Sequence, residues 1–155
     1  MEPKYHVSYK GFYLPRNLAK YKGNPSNIVY RSLMELRAME YFDKTKKVVA
    51  WSSEETIIPY YDPVANRRRR YFVDFLVSIA DPAGAIATFL IEVKPSQQCL
   101  PPPKPKVKTA KRVNRYLREV ATFATNTAKW TAAIKTCETK DWQFLILTEK
   151  HLRFD

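Results

Sequence analysis

The stretch that decides the fold is Tyr71-Phe72-Val73-Asp74-Phe75-Leu76-Val77-Ser78-Ile79, then Asp81-Pro82-Ala83-Gly84, then Ala85-Ile86-Ala87-Thr88-Phe89-Leu90-Ile91-Glu92-Val93-Lys94-Pro95. Two runs rich in β-branched and aromatic residues flank a Pro/Gly turn, the pattern of a β-hairpin. Both runs are almost wholly apolar, so the hairpin is expected at the centre of a sheet, covered on both faces. Asp74, Glu92 and Lys94 interrupt the apolar pattern. A lone charge is costly to bury, so charges in such a place are normally paired or bound to a metal ion. Side chains two apart on a strand point the same way, which puts Glu92 and Lys94 on one face. An Asp on one strand and Glu-x-Lys on the next is a common construction for a divalent-metal nuclease site.

The whole chain has 155 residues, enough for one domain with a real core. Hydrophobic residues make up 45%, which argues against wholesale disorder. The formal net charge of +12 implies a polyanionic partner, most often nucleic acid. Cys99 and Cys137 form no CxxC pair, and with only His6 and His151 there is no zinc-ligand spacing. Both cysteines read as reduced thiols of a cytosolic protein. The first residues lack an apolar signal segment, and no apolar run reaches membrane-spanning length, so no membrane is expected. Three glycines and no phosphate-binding glycine loop argue against a nucleotide cofactor.

Upstream, residues 1–23 read as a basic, aromatic N-terminal arm in which Tyr5, Tyr9, Phe12, Tyr13 and Tyr21 interleave with Lys and Arg. Such an arm suits stacking and phosphate contact on nucleic acid, or packing of its aromatics on the domain. Residues 24–155 read as one domain. Asn24-Pro25-Ser26-Asn27 supplies capping chemistry for a helix over about residues 28–42. Glu35 falls on its apolar face with Ile28, Ser32, Met39 and Phe42, so it is expected to point inward; the alternative is a border residue paired with Arg31 or Arg37. Short strands are expected over residues 46–51 and 55–61, with Pro59 marking an edge or strand end. Arg67, Arg68, Arg69 and Arg70 then lead into the central strand. Alternating along a strand, some should meet phosphates and others water.

Downstream, residues 95–108 form a Pro/Lys-rich loop that suits neither helix nor inner strand. Lys104, Lys106, Lys108, Lys111, Arg112, Arg115 and Arg118 follow one another with no acidic residue between them, a basic segment suited to clamping DNA. Two helices are expected, over residues 109–125 and 126–139, then a last strand over 143–148. A helical crossover of this kind delivers a parallel neighbour.

Hydrolysis of a phosphodiester needs hard oxygen ligands for one or two Mg²⁺ ions, and a positive group near the nucleophile. Asp74 and Glu92 suit the ligand role, Val93 can lend its carbonyl, and Lys94 is the positive group. Glu35 is a candidate third carboxylate. The order helix-Glu, hairpin-Asp, Glu-x-Lys, helix, strand resembles the PD-(D/E)xK nuclease superfamily. That resemblance implies a restriction-endonuclease-like α/β fold, an αβββαβ sandwich with a central mixed sheet flanked by helices.

The segments Tyr21-Lys22-Gly23-Asn24-Pro25, Tyr30-Arg31-Ser32-Leu33-Met34-Glu35-Leu36 and Glu54-Glu55-x-Ile57-Ile58-Pro59-Tyr60 narrow the resemblance. So do Tyr71-Phe72-x-Asp74-Phe75, Glu92-Val93-Lys94-Pro95, Lys129-Trp130-x-Ala132-Ala133 and Phe144-x-Ile146-Leu147-Thr148-Glu149. Together they are similar to the head-completion nucleases of tailed bacteriophages, which are related to the endonuclease subunit of heteromeric transposases. Val73 stands where that pattern has Pro before the Asp, a position that shapes the strand and does no chemistry. The resemblance implies Glu35, Asp74, Glu92 and Lys94 as the catalytic set, with Mg²⁺ as cofactor and Mn²⁺ as a substitute. It implies a low-specificity endonuclease of double-stranded DNA, acting on packaged DNA ends or at the portal vertex, with portal or neck proteins as partners. Its place would be the bacterial host cytoplasm and the virion. A non-catalytic structural virion protein that binds DNA or the portal is the second reading, and a basic nucleic-acid-binding module with an incidental Glu-x-Lys is the third.

Overall fold

The computed structural model describes residues 10–152. β1 (Gly11–Phe12) and β2 (Val29–Tyr30) form a small antiparallel ribbon, followed by α1 (Leu33–Lys44). Then come β3 (Val48–Ser53), β4 (Ile57–Asp62), β5 (Arg67–Phe72), β6 (Phe75–Ala80) and β7 (Ile86–Val93). The long α2 (Ala110–Lys140) leads into β8 (Gln143–Leu147).

β6 and β7 make the expected hairpin, with Phe75 opposite Ile91 and Ala80 opposite Ile86. It occupies the middle of a four-stranded sheet ordered β3-β6-β7-β8. β3 is antiparallel to β6, and β8 is the parallel neighbour of β7. Phe75, Val77, Ile91 and Val93 pack in one core with Met39 and Phe42 of α1. Val73 and Leu90 pack in a second core with Ala133 and Cys137 of α2. Each face of the hairpin is thus covered by a helix, which is why its strands lack polar alternation. In chain order α1, β3, β6, β7, α2 and β8 give the restriction-endonuclease-like αβββαβ sandwich, with β4 and β5 inserted after the first core strand.

Three expectations need correction. The first helix begins at Leu33, not near residue 28, and its cap is Ser32, whose Oγ accepts the Glu35 N–H at 3.1 Å. Ser32-x-x-Glu35 is a capping-box sequence. Val29 and Tyr30 are drawn into β2 by Phe12 and Gly11, partners far away along the chain.

The arginine run does not lead directly into the central strand. β5 pairs only with β4, as a separate hairpin with Asp62 opposite Arg67, and the chain changes sheets at Val73-Asp74. The two expected helices are one helix of 31 residues. The polar stretch at Asn126-Thr127 does not break it: the following turns, with Ala128, Trp130, Ala133 and Cys137, pack on the second core, and Thr127 and Thr131 satisfy their hydroxyls on the carbonyls four residues back, at 2.8 Å each.

Residues 10–23 of the expected arm lie against the body. Asp43, fully buried at the end of α1, accepts the Tyr13 hydroxyl at 2.8 Å and the Arg16 and Asn17 amides at 2.8 and 3.0 Å. Tyr21 is buried against Trp51 with ring centroids 4.8 Å apart. Lys4, Tyr5 and Tyr9 lie outside the described residues. After Lys94 the Pro/Lys-rich loop opens with a short 3-10 turn, Ser96–Cys99, held by a bond from the Ser96 amide to Glu149 Oε2 at 2.9 Å.

Candidate active site

Asp74, Glu92 and Lys94 meet where β7 ends. The register Phe75↔Ile91 carries Asp74 to the level of Glu92 and Val93. Asp74 Oδ2 accepts the Val93 amide at 2.8 Å. Lys94 Nζ lies 3.5 Å from Glu92 Oε1, so the two side chains share a face, as strand parity requires. Glu92 is 7% exposed and its Oε2 accepts the hydroxyl of the buried Tyr71. Burial and then the Glu92 charge push the Tyr71 hydroxyl far above the usual phenol range, so it stays a donor. Tyr71 was legible only as a strand residue; no local signal in the sequence aims it at Glu92. The Lys129 ammonium sits 5.5 Å from the Tyr71 ring centre and brackets this corner from α2.

Asp74 is held at its backbone as well. Its carbonyl accepts the Glu54 amide at 3.1 Å, and Glu54 adopts a left-handed φ of 55°, uncommon outside glycine. Burial raises the Asp74 carboxyl well above the ordinary carboxylate range. The neighbouring Glu92 and Glu35 charges add to this, and the Val93 amide and Lys94 oppose it. Glu35 is therefore within electrostatic reach of Asp74, but one of its oxygens is committed locally, since Oε2 accepts the Arg31 amide at 2.9 Å. Burial raises the Glu35 carboxyl too, against the pull of the Arg31 amide and guanidinium. Arg31 in turn bonds Glu54.

The donor set is hard oxygen, with excess negative charge for its degree of burial, and Oδ1 of Asp74 accepts no hydrogen bond among the described residues. Those are conditions that suit a divalent cation. Among the described residues no three acidic, His or Cys side chains are already gathered into a cage. The structure thus brings Asp74, Glu92, Val93 and Lys94 together and leaves Glu35 one step outside them.

Two basic features flank this corner. Arg67, Arg68, Arg69 and Arg70 are all exposed on β5. Arg69 is tied to Asp62 at 3.3 Å, and the Arg70 guanidinium lies 5.6 Å from the centre of the Phe72 ring. Asp62 is buried and also accepts the Thr125 hydroxyl at 3.0 Å, which joins the inserted hairpin to α2. Its carboxyl would be raised by burial, but the Val64 and Ala65 amides, Thr125 and Arg69 outweigh that and hold it low. The second feature is the basic segment. Lys104, Lys106, Lys108, Lys111, Arg112 and Arg115 are exposed along the loop and the start of α2. At 1.5 Å per residue α2 is about 46 Å long, against about 17 Å for β8. Its N-terminal half therefore outruns the sheet, beyond the end where Glu92 and Lys94 sit.

A family model described as TnsA-like endonuclease N terminal matches residues 45–149, which include Asp74, Glu92 and Lys94. A head completion nuclease of Enterobacteria phage T4 is 39% identical over 147 residues, spanning 95% of this chain and 95% of its own. The match covers the sheet, α2 and the charged corner, and the relative extends it through α1 and Glu35. On both grounds this chain belongs to the TnsA-like endonuclease family.

Proposed function

We propose that this protein is a metal-dependent endonuclease of the PD-(D/E)xK type, cutting double-stranded DNA with low sequence preference during phage head completion. The observation that carries the reading is the meeting of half-buried Asp74 and Lys94 with buried Glu92 in one corner, in a chain of an endonuclease family. The relative named head completion nuclease supports a role in phage head completion. Within that role we take DNA ends or the portal vertex as the place of action, portal or neck proteins as partners, and the host cytoplasm and virion as locations. No helix of the described residues is long and apolar enough to cross a membrane.

Asp74 and Glu92 would hold the ion, with the Val93 carbonyl and Glu35 as further oxygen donors. When bound, Mg²⁺, or Mn²⁺ in its place, supplies a water of lowered pKa and positive charge against the phosphoryl oxygens. Lys94 places a compact cation beside Glu92, where it favours hydroxide and offsets charge that develops on the phosphate. Tyr71 fixes one Glu92 oxygen, and the Val93 amide fixes one Asp74 oxygen, so both carboxylates are oriented before substrate arrives. The arginines of β5 and the basic segment of α2 hold backbone phosphates and supply the affinity.

The test is nicking of supercoiled plasmid with Mg²⁺, with Mn²⁺ and with EDTA, on wild type and Asp74→Asn. Cleavage that needs the metal and is lost in the variant is the expected result. Metal-independent DNA binding with no cleavage in any condition would instead leave the non-catalytic virion protein.

A further inference from the structure

A cavity of about 450 Å³ lies between the loop that follows Lys94 and the N-terminal half of α2. That volume falls in the range of roughly 300–1,000 Å³ usual for small-ligand sites. Its apolar lining comes from Leu100, Pro102 and Pro103 of the loop and Phe123 of α2. Its polar lining includes three carboxamides, Gln97 and Gln98 from the 3-10 turn and Asn126 from α2, beside Thr122, Arg115, Arg118 and Glu119. Asn126 is 7% exposed, in the middle of a helix, and its side chain makes no hydrogen bond among the described residues. Its amide atoms are not among the sealed, unpartnered ones, so they stay open to a hydrogen-bonding group that enters the cavity. Arg115, also in the lining, is paired with Glu119 at 3.0 Å, whereas Arg118 is in no ion pair among the described residues.

The cavity adjoins the charged corner. Gln97 and Gln98 are three and four residues past Lys94, in a turn pinned by the Ser96–Glu149 bonds. The Cys99 thiol in that turn is pushed up by burial, with Lys94, Glu149 and Glu92 close enough to act on it electrostatically. An aromatic side chain, amides that both donate and accept, and a guanidinium unpaired among the described residues match the three parts of a nucleotide: base face, base edge and phosphate.

We propose that this cavity takes one unstacked nucleotide of the DNA strand that the neighbouring corner cuts. The base stacks on Phe123 and pairs its edge with Asn126 and Gln98, and its phosphate meets Arg118. The inference rests on the nuclease reading, and it makes the preferred substrate a frayed or single-stranded end rather than a flush duplex.

The experiment measures binding in EDTA, so no cleavage is required. Fluorescent duplexes of equal length, one blunt and one with a short single-stranded overhang, are titrated with the full chain. Wild type is expected to bind the overhang about tenfold more tightly, in keeping with one stacked base. Phe123→Ala and Asn126→Leu should erase that preference while leaving blunt-duplex affinity within about twofold. Arg118→Gln, at an exposed position with little bearing on folding, should reduce the preference and lower the salt slope for the overhang by roughly 0.7.

Equal binding of both duplexes by wild type would overturn the proposal, as would a preference that survives in all three variants. Binding of a free deoxynucleoside monophosphate without any overhang preference would also overturn it, because the cavity would then be closed to a DNA strand. Plasmid cleavage separates the two readings. Cleavage without overhang preference sinks only the cavity, and overhang preference without cleavage sinks only the nuclease.

Discussion

Asp74 Oδ2 accepts the amide of Val93 at 2.8 Å, so a carboxylate beside β6 is clamped by the backbone of the residue that separates Glu92 from Lys94. One peptide segment thereby sets the distance between both carboxylates and the ammonium. The clamp uses one oxygen of Asp74 and leaves the other unbonded among the described residues. Asp74→Ala therefore removes both a charge and the clamp, whereas Asp74→Asn removes the charge and keeps a carbonyl oxygen that can accept the Val93 amide. Asp74→Asn should weaken metal binding, and added Mn²⁺ should restore part of its cleavage.

Lys94→Ala should lower cleavage by about 100-fold or more, the scale of removing one electrostatic stabiliser of a transition state. DNA affinity should stay within about twofold, since this is one charge of a chain with 27 Lys and Arg. Lys94→Arg should rescue little, because a planar guanidinium replaces a compact ammonium and cannot readily give up a proton. Single-turnover cleavage and filter binding read the two effects separately. Full-rate cleavage by Lys94→Ala would remove the mechanism.

Tyr71→Phe keeps the ring against Tyr60 and Lys129 but removes the donor to Glu92. A buried carboxylate oxygen then lacks its partner, at a cost of about 1–3 kcal/mol. Lower thermal stability is expected, with cleavage reduced about tenfold and partly recovered at high metal concentration. Unchanged metal dependence would show that Tyr71 serves packing alone.

DNA affinity should fall steeply with salt. Replacing Arg67, Arg68, Arg69 and Arg70 by Gln should lower the slope by less than four contacts imply. Arg69 is already engaged by Asp62, which leaves about two or three arginines for phosphates at roughly 0.9 each. An unaltered slope would make the run surface decoration.

Asp43 gives the chain an acid sensitivity. Burial alone would raise its carboxyl, but the Arg16 amide, the Tyr13 hydroxyl and Asn17 outweigh it and hold it below 3.8. A carboxyl depressed in the folded state stabilises the fold above its unfolded value of 3.8 and loses that contribution as pH falls through the folded value. Asp43→Ala should cost about 2–4 kcal/mol at neutral pH by orphaning three donors, and it should flatten the acid limb of the stability curve. Calorimetry from neutral to acid pH checks both.

The amino-acid sequence alone determined the central hairpin, the shared face of Glu92 and Lys94, the parallel last strand and the basic character of the flanks. The hairpin, the shared face and the basic flanks follow from information within a few residues: apolar runs about a Pro/Gly turn, strand parity, a charge run; the parallel strand follows from the helical crossover before it. Tertiary structure decided the rest. Val29-Tyr30 became a strand because Gly11-Phe12 lay opposite, which moved the start of α1 to Ser32. Asn126 stayed inside one helix because the residues after it, Ala128, Trp130, Ala133 and Cys137, packed on the second core. The arginine run joined a hairpin of its own, and Tyr71 reached a Glu 21 residues away. In most of these the deciding partner is distant in the chain, and a side chain's local pattern carries no record of which distant group will satisfy it.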